Sequence, residues 1–454
     1  MKPKIQQSIV LPFSTRIENQ IDLHHPIVIL SNKIRWSIFE EEFTKLYSPG
    51  KGRPAKPIRL MTSLLILKHV RNISDESVVE QWSENMYYQY FSGEQFFVTK
   101  QPCEASELVH FRNRIGSAGI ELILKESINI NGKDSDGLIL SADTTVQEKN
   151  ITYPTDDKLY KKIIKRCNKI ADERGIDLRQ SYTTTVKRLG HLQRFRKSKK
   201  RFKLAKKADR KIKTIAGRLM REIERKLDPK GYAKWSTEIE IYKRILSQKR
   251  NDHNKIYSIH EPHVQCLSKG KEHKKYEFGN KVSILVTQKT GVIVGAVSID
   301  HNKHDSKTID EALNQYQRMT EKTAQQVYVD RGYRGISMIG ETEIKIAGKQ
   351  RNITESQKKK HSRRAAIEPK ISHLKSDHRL GRNYYKGIAG DHINVMLAAA
   401  ALNFKRMMNK WKELILWLFE SIMRSIVVDV KSKIYSWINF YQADFSINSG
   451  LRIS

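Results

Sequence analysis

The stretch KVSILVTQKTGVIVGAVSID (281–300) alternates in hydropathy on either side of Lys289-Thr290-Gly291. Alternation with a period of two, broken by a glycine-containing turn, predicts a β-hairpin. SKTIDEALNQYQRMTEK (306–322) follows with helical spacing, and QQVYVD (325–330) returns to a short apolar strand. Hairpin, helix and strand in that order commit this part of the chain to a mixed α/β sheet. HVQCLSKG (263–270) and EIKIAG (343–348) read as further strands. So does LILSADTTVQ (138–147), which puts Leu138, Leu140, Ala142 and Val146 on one face. Asp143 falls on the other face, in mid-strand, where aspartate is depleted. Metal binding is a reason for a carboxylate to be there.

The chain before residue 130 reads as helical. Pro57 opens RLMTSLLILKHV (59–70), in which Leu60, Leu64 and Leu67 share a face. Asn72-Ile73 break this helix. Ser74 then caps a second one, with Asp75 and Glu76 in its first turn. Two helices joined so tightly suggest a helix-turn-helix. A third, SELVHFRNRIG, is stopped by Gly116. Its residues His110, Arg112, Asn113 and Arg114 read as a basic polar face suited to a DNA groove, or simply to solvent. The segment from about 156 to 250 reads as a long helical insertion, and the basic run from Lys187 to Lys213 within it has fourteen Lys or Arg and one acid, Asp209. Ile212, Ile215, Leu219, Ile223 and Leu227 keep an apolar stripe inside it, so part of the insertion packs and part is a basic face. GDHINVMLAAAALNF (390–404) reads as a buried helix.

The 454 residues hold 84 Lys and Arg against 49 Asp and Glu, a formal charge of +35. This surplus favours a polyanionic partner, most simply nucleic acid. A ribosomal or membrane-surface binder has the same bulk charge, as does an RNA-binding protein. Three scattered cysteines exclude a disulfide framework and suit a reducing cytosol. The N-terminal MKPKIQQSIVLPF has too short an apolar run for a signal peptide. ELILWLFESIMRSIVV (413–428) carries charges and is too short to span a bilayer, so it reads as an amphipathic packing helix. The expectation is a soluble protein. No phosphate-binding loop, nucleophile elbow or cysteine/histidine zinc spacing occurs.

The acids then narrow the chemistry. Asp330 ends the strand VYV and precedes the turn RGYRG, where α/β folds tend to place sites. Glu368 lies in RRAAIEPKISHLK (363–375), one carboxylate among Arg363, Arg364, Lys370, His373 and Lys375. Arg364, Glu368, Ile371 and Lys375 fall on one helical face, which requires Pro369 to lie in the first turn. Two strand aspartates and a helix glutamate suit a hard cation such as magnesium. A pair of such ions about 4 Å apart can activate an attacking oxygen and steady a leaving one. The basic residues around Glu368 would then hold a phosphate backbone. His301, His304 and Asp305, in DHNKHDSK, read as shaping a turn after a strand, at most near the site.

ADTTVQEKNITYPTD (142–156), VYVDRGYRG (327–335) and RRAAIEPKISHLKSDHRLGRNYYKG (363–387) together resemble bacterial insertion-sequence transposases of the DDE type. PIRLMTSLLILKHVRNISDESVVEQWSENMYYQYFSGE (57–94) resembles the N-terminal domain of InsH-like members. The resemblance spans about residues 40–405. It implies an α/β fold with a ribonuclease H-like catalytic core, preceded by an all-α N-terminal domain. The implied layout is a DNA-binding domain at 1–130, a catalytic domain at 131–404 with the insertion at about 156–250, and a helical tail at 405–454. It implies Asp143, Asp330 and Glu368 as the catalytic, metal-holding triad, with two Mg2+ (or Mn2+) ions. The family's Tyr-x2-Arg-x3-Glu-x6-Lys signature falls on His361, Arg364, Glu368 and Lys375, so a histidine replaces the tyrosine. The DNA-contacting set expected on these grounds is Arg364, Lys375, Arg112, Arg114 and His361. The implied function is to bind the element's ends, cleave DNA and join the 3′-hydroxyl to target DNA. Double-stranded DNA is the partner and a homodimer assembled on DNA the working form, in the bacterial cytoplasm at the nucleoid, with no membrane. The alternatives are a non-catalytic DNA-binding derivative and a metal-dependent nuclease without strand transfer.

Overall fold

The computed structural model describes residues 2, 15–50, 52–249, 251–268, 275–301, 303–347 and 354–449. Apart from Lys2, the run MKPKIQQSIVLPF lies outside them, as do the last residues of HVQCLSKG and EIKIAG. The chain packs as two compact units. One holds the residues up to Arg114, Asn129–Asn131 and those from Ala401 onward; the other holds Ile115–Ile128 and Gly132–Ala400. The chain therefore changes unit at 114/115, 128/129, 131/132 and 400/401, whereas the sequence reading divides it at 130/131 and 404/405.

The first unit is helical: α1 (Pro26–Lys33), α2 (Trp36–Thr44), α3 (Ile58–Arg71), α4 (Asp75–Glu84), α5 (Met86–Phe91) and the first part of α6 (Ala105–Asn129). α3 is buried nearly all round, Thr62, Ser63, Lys68 and His69 included, as in a central helix. Asn72 ends it in the left-handed conformation (φ 58°), and Ser74 caps α4 by accepting from the Ser77 amide at 3.1 Å. The two helices joined by a short turn are present as expected. α6 leaves helical geometry at Gly116 (φ 58°, ψ −165°), the residue read as its stop, but a new helical run begins at once. Glycine tolerates that backbone where other residues are strained.

The second unit is built on a mixed sheet in the order β2-β3-β1-β5-β7-β6, with β4 on β3 and β8 on β1. Its strands are β1 (Ile139–Lys149), β2 (Gln265–Leu267), β3 (Glu277–Thr287), β4 (Ile293–Ile299), β5 (Gln326–Val329), β6 (Met338–Ile339), β7 (Thr342–Ile346) and β8 (Arg382–Asn383). β1 runs antiparallel to β3 and parallel to β5. β3 and β4 form the expected hairpin, followed by α11 (Ile309–Thr320). Then come α12 (Glu355–Arg363), a 3₁₀ turn (Arg364–Ala366), α13 (Ile367–Asp377) and α14 (Gly387–Ser449). Pro369 sits in the first turn of α13, where its missing N–H breaks no helical bond. The 413–428 segment continues α14 without a break. Among its described side chains, Trp417 and Met423 are exposed, at 61% and 45%.

Between β1 and β2 the insertion forms four helices: α7 (Asp156–Arg174), α8 (Thr183–Gln193), α9 (Phe202–Lys226) and α10 (Pro229–Ser247). They have a core of their own, including Ile163, Ile170, Leu189, Ile212, Leu219, Trp235 and Tyr242. Tyr153 and Tyr257, at its two ends, both pack on Phe278 of β3, with ring centroids 5.4 and 5.3 Å away.

The C-terminal end of β1 is tied down by a buried polar cluster. The Asp391 carboxylate, 1% exposed, accepts from Lys149 and Asn383 (both 2.6 Å), Asn280 (2.8 Å) and His263 (3.1 Å). One residue thereby links β1, β3, β8, the segment before β2 and α14.

Candidate active site

β1 and β5 are parallel neighbours with Ser141 opposite Tyr328. Two residues further along each strand come Asp143 and, just past the end of β5, Asp330. Parallel strands in register project matched residues to the same face, about 4.8 Å apart. The aspartates are thus brought side by side by strand pairing alone. Each also has a local bond that sets its backbone. Asp143 accepts from the Thr144 amide at 2.7 Å. Asp330 accepts from the Gly332 amide at 2.9 Å and so caps a 3₁₀ turn over Arg331–Tyr333.

A third carboxylate converges on this pair. Asp305, in the loop before α11, accepts from the Thr144 hydroxyl at 3.0 Å and pairs with Lys281 at 2.9 Å. A Cβ at Gly332 would lie 3.0 Å from an Asp330 oxygen and 3.1 Å from an Asp305 oxygen, so the two carboxylates flank that glycine. Beneath them lies Tyr333, fully buried. Burial first, and then the charges of Asp143, Asp305 and Asp330, push its phenol far above the usual tyrosine value.

Glu368 stands elsewhere. α13 packs on β1, and its buried side chains are Ile367 and Leu374. Glu368 is on the solvent side, 63% exposed, 3.7 Å from the Arg364 guanidinium one helical turn back. Among the described residues no group of three or more His, Cys, Asp or Glu side chains is placed to hold a metal ion. Asp143 and Asp330 lie on neighbouring parallel strands, Asp305 and Asp330 flank Gly332, and Glu368 is exposed on α13 beside Arg364.

The other expected residues divide. Arg364 is 16% exposed and faces Glu368, and Lys375 is half-buried. His361 packs edge-on against Tyr328, centroids 4.9 Å apart. Burial, then the charges of Lys345 and Arg364, lower its pKa. Arg114 is exposed and stacks on Tyr47 at 4.3 Å.

Arg112 is a correction. Expected on a basic outer face, it is 5% exposed and pairs with Asp75 at 3.4 Å, beside the equally buried Lys68 at 2.7 Å. Burial alone would raise the Asp75 carboxyl, but Lys68 and Arg112 outweigh it and hold the group below its usual value. The signal for this was in the sequence. Leu108, Phe111, Arg112 and Ile115 follow the i, i+3, i+4, i+7 spacing of a core-facing stripe, and all four are buried. Asp305, which the sequence reading places at most near the site in DHNKHDSK, opens a 3₁₀ turn over Asp305–Lys307.

Comparison with known proteins adds the following. Residues 15–114 match the family model "Transposase domain (DUF772)", and residues 247–404 match the model "Transposase DDE domain". An uncharacterized protein, ORF8 in the nfe locus of Rhizobium meliloti, is 41% identical over 181 residues, covering 39% of this chain and 87% of that protein. No solved structure matches. No described helix is long and apolar enough to cross a membrane.

Proposed function

The chain belongs to the DDE-type insertion-sequence transposases, and from that premise we propose that it cleaves DNA phosphodiesters at the ends of its element and joins the freed 3′-hydroxyls to target DNA. The observation that carries this reading is the register of β1 and β5, which sets Asp143, in the middle of β1, beside Asp330, just past the end of β5. The sheet around them, with β1 antiparallel to β3 and parallel to β5, supports a ribonuclease H-like core.

Half-buried Asp143 and Asp330, with Asp305 nearby, offer carboxylate oxygens, the donor type that a hard divalent cation takes. Asp143, Asp330 and Glu368 would hold Mg2+ or Mn2+, for which α13 has to bring Glu368 inward from its solvent position. Bound there, the ions supply a nucleophilic oxygen at neutral pH and charge stabilisation for phosphoryl transfer. The protein's own side chains do the rest. Asp330 holds the turn that frames the site, Lys281 neutralises Asp305, and Arg364 and Lys375 steady the DNA backbone beside the acids. The helical N-terminal domain recognises the element's ends, with Arg114 among its contacts. Bringing two ends together calls for a dimer on DNA, at the nucleoid.

The test is strand cleavage and strand transfer on end-containing duplex with Mg2+ or Mn2+. Asp143→Asn, Asp330→Asn and Glu368→Gln, made separately, should each cost about 10³-fold or more, the scale of losing a preorganised electrostatic group, while DNA binding persists. Undiminished cleavage in a variant removes that residue from the triad. The second reading, a DNA-binding derivative without catalysis, is favoured by the solvent position of Glu368. Wild-type protein that binds the ends but leaves them uncut in both metals would establish it.

A further inference from the structure

The insertion has a surface that the catalytic reading does not use. Helix α9 is divided cleanly in two. Ala205, Ala208, Ile212, Ile215, Leu219 and Ile223 face the insertion's own core. On the opposite side Lys203, Lys207, Arg210, Arg218, Arg221 and Arg225 follow at steps of three, four or eight residues, with Thr214 filling the long step. At 100° per residue these positions stay within one narrow stripe. All six cations are exposed, and none forms an ion pair with a described residue. The acids of α9 are already engaged elsewhere. Asp209 holds Arg196 at 2.8 Å, Glu222 holds Lys226 at 2.9 Å, and Glu224 holds Lys243 at 2.7 Å. Their pairing leaves the stripe with one sign of charge.

A helix needing no more than a solvated outer face intersperses both signs, because six like charges along one stripe repel one another. The stripe instead matches a polyanion of fixed length. From Lys203 to Arg225 it runs for about 33 Å at 1.5 Å per residue, close to the roughly 34 Å of one turn of duplex DNA. We infer that the outer face of α9 is a DNA-backbone-binding surface of the insertion, separate from the N-terminal domain. It contacts phosphates and carries no base readout, which suits target or flanking DNA of arbitrary sequence. The choice of DNA as the partner rests on the transposase reading; the surface itself rests on the charge and length of the stripe.

The test uses the full-length protein with a 30-base-pair duplex lacking the element's ends. In one variant Lys203, Lys207, Arg210, Arg218, Arg221 and Arg225 are changed to Gln. In a control, the exposed Lys165, Lys169, Lys230 and Lys234 are changed to Gln. Affinity is measured against salt concentration. If α9 neutralises phosphates, the log–log slope should become shallower by about 3–5 in the stripe variant and by less than about 1 in the control. Equal slopes for wild type and stripe variant overturn the inference. A footprint on the unmodified protein guards against misfolding of the variant. Lys203 and Lys207 should lose most of their reactivity toward an acetylating reagent when duplex is bound, and unchanged reactivity also overturns the inference. Tighter binding of RNA than of duplex DNA through the same lysines overturns the choice of partner. Failure of the two proposals is distinguishable. Protein that cuts and joins DNA with an unaltered slope loses only the α9 surface. Protein that binds through α9 but never cuts loses only the catalytic reading.

Discussion

Replacing Asp391 with alanine tests whether the buried cluster at the end of β1 holds the second unit together. The carboxylate is 1% exposed and accepts from Lys149, Asn383, Asn280 and His263. Lys149, with its side chain 3% exposed, would lose its nearest countercharge. Removing one partner of a buried ion pair costs about 3–5 kcal/mol, because the other charge is left in a poorly solvating interior. Glu261 remains 3.5 Å from Lys149, which places the expected cost near the lower end, about 3 kcal/mol. For a unit of this size that corresponds to a fall of roughly 6–12 °C in the melting temperature. Differential scanning calorimetry at neutral pH reads it directly. The double variant Lys149→Met/Asp391→Leu removes both charges and keeps the volume apolar, and it should recover more than half of the loss. A single-variant shift below about 2 °C would mean that the cluster is solvated in solution and is not a buried anchor. A double variant no better than the single one would mean that the lost hydrogen bonds, rather than the orphaned charge, set the cost.

The two arginines of α6 should separate by readout. Arg112→Gln should destabilise the protein by about 2–4 kcal/mol, since it breaks a buried ion pair with Asp75, whereas Arg114→Gln should cost no more than about 1 kcal/mol and should instead weaken binding to the element's ends. Chemical denaturation and a gel-shift titration on the same pair of proteins decide this, and equal stabilities would refute the burial argument. The Asp75 carboxyl is held below its usual value by Lys68 and Arg112 against the cost of burial. Its folded pKa therefore lies below its unfolded one, so its contribution to stability is complete above the unfolded value and lost as pH falls through the folded one. The stability gap between wild type and Asp75→Asn should thus be flat from neutral pH down to the ordinary carboxylate range and close only below it. A gap that closes at higher pH contradicts the pairing.

Much of the architecture was legible because it is written over short distances. The Ser74 cap, the left-handed Asn72, the break at Gly116 and Pro369 in the first turn of α13 each depend on residues within a turn or two. The apolar stripe from Ile212 to Ile223 foretold the buried face of α9. The same spacing, applied to Leu108, Phe111, Arg112 and Ile115, also foretold the burial of Arg112, but the charge of the side chain obscured it. Asp143 was conspicuous as an acid in an apolar strand, and Asp330 as an acid at a strand's end.

What the sequence determined alone is therefore the type and order of the elements, the helical insertion and the one-signed face of α9. Periodicity and capping act between near neighbours, and like charges at helical spacing need no distant partner to define a face. Only the tertiary structure decided which charges lost their water and which acids came together. Asp391 reaches Lys149 across 242 residues of chain, and Asp305 reaches Thr144 across 161. Burial and convergence of that kind depend on how whole elements pack. Desolvation then turns an ordinary carboxylate into an anchor at Asp391, while at Glu368 the water remains.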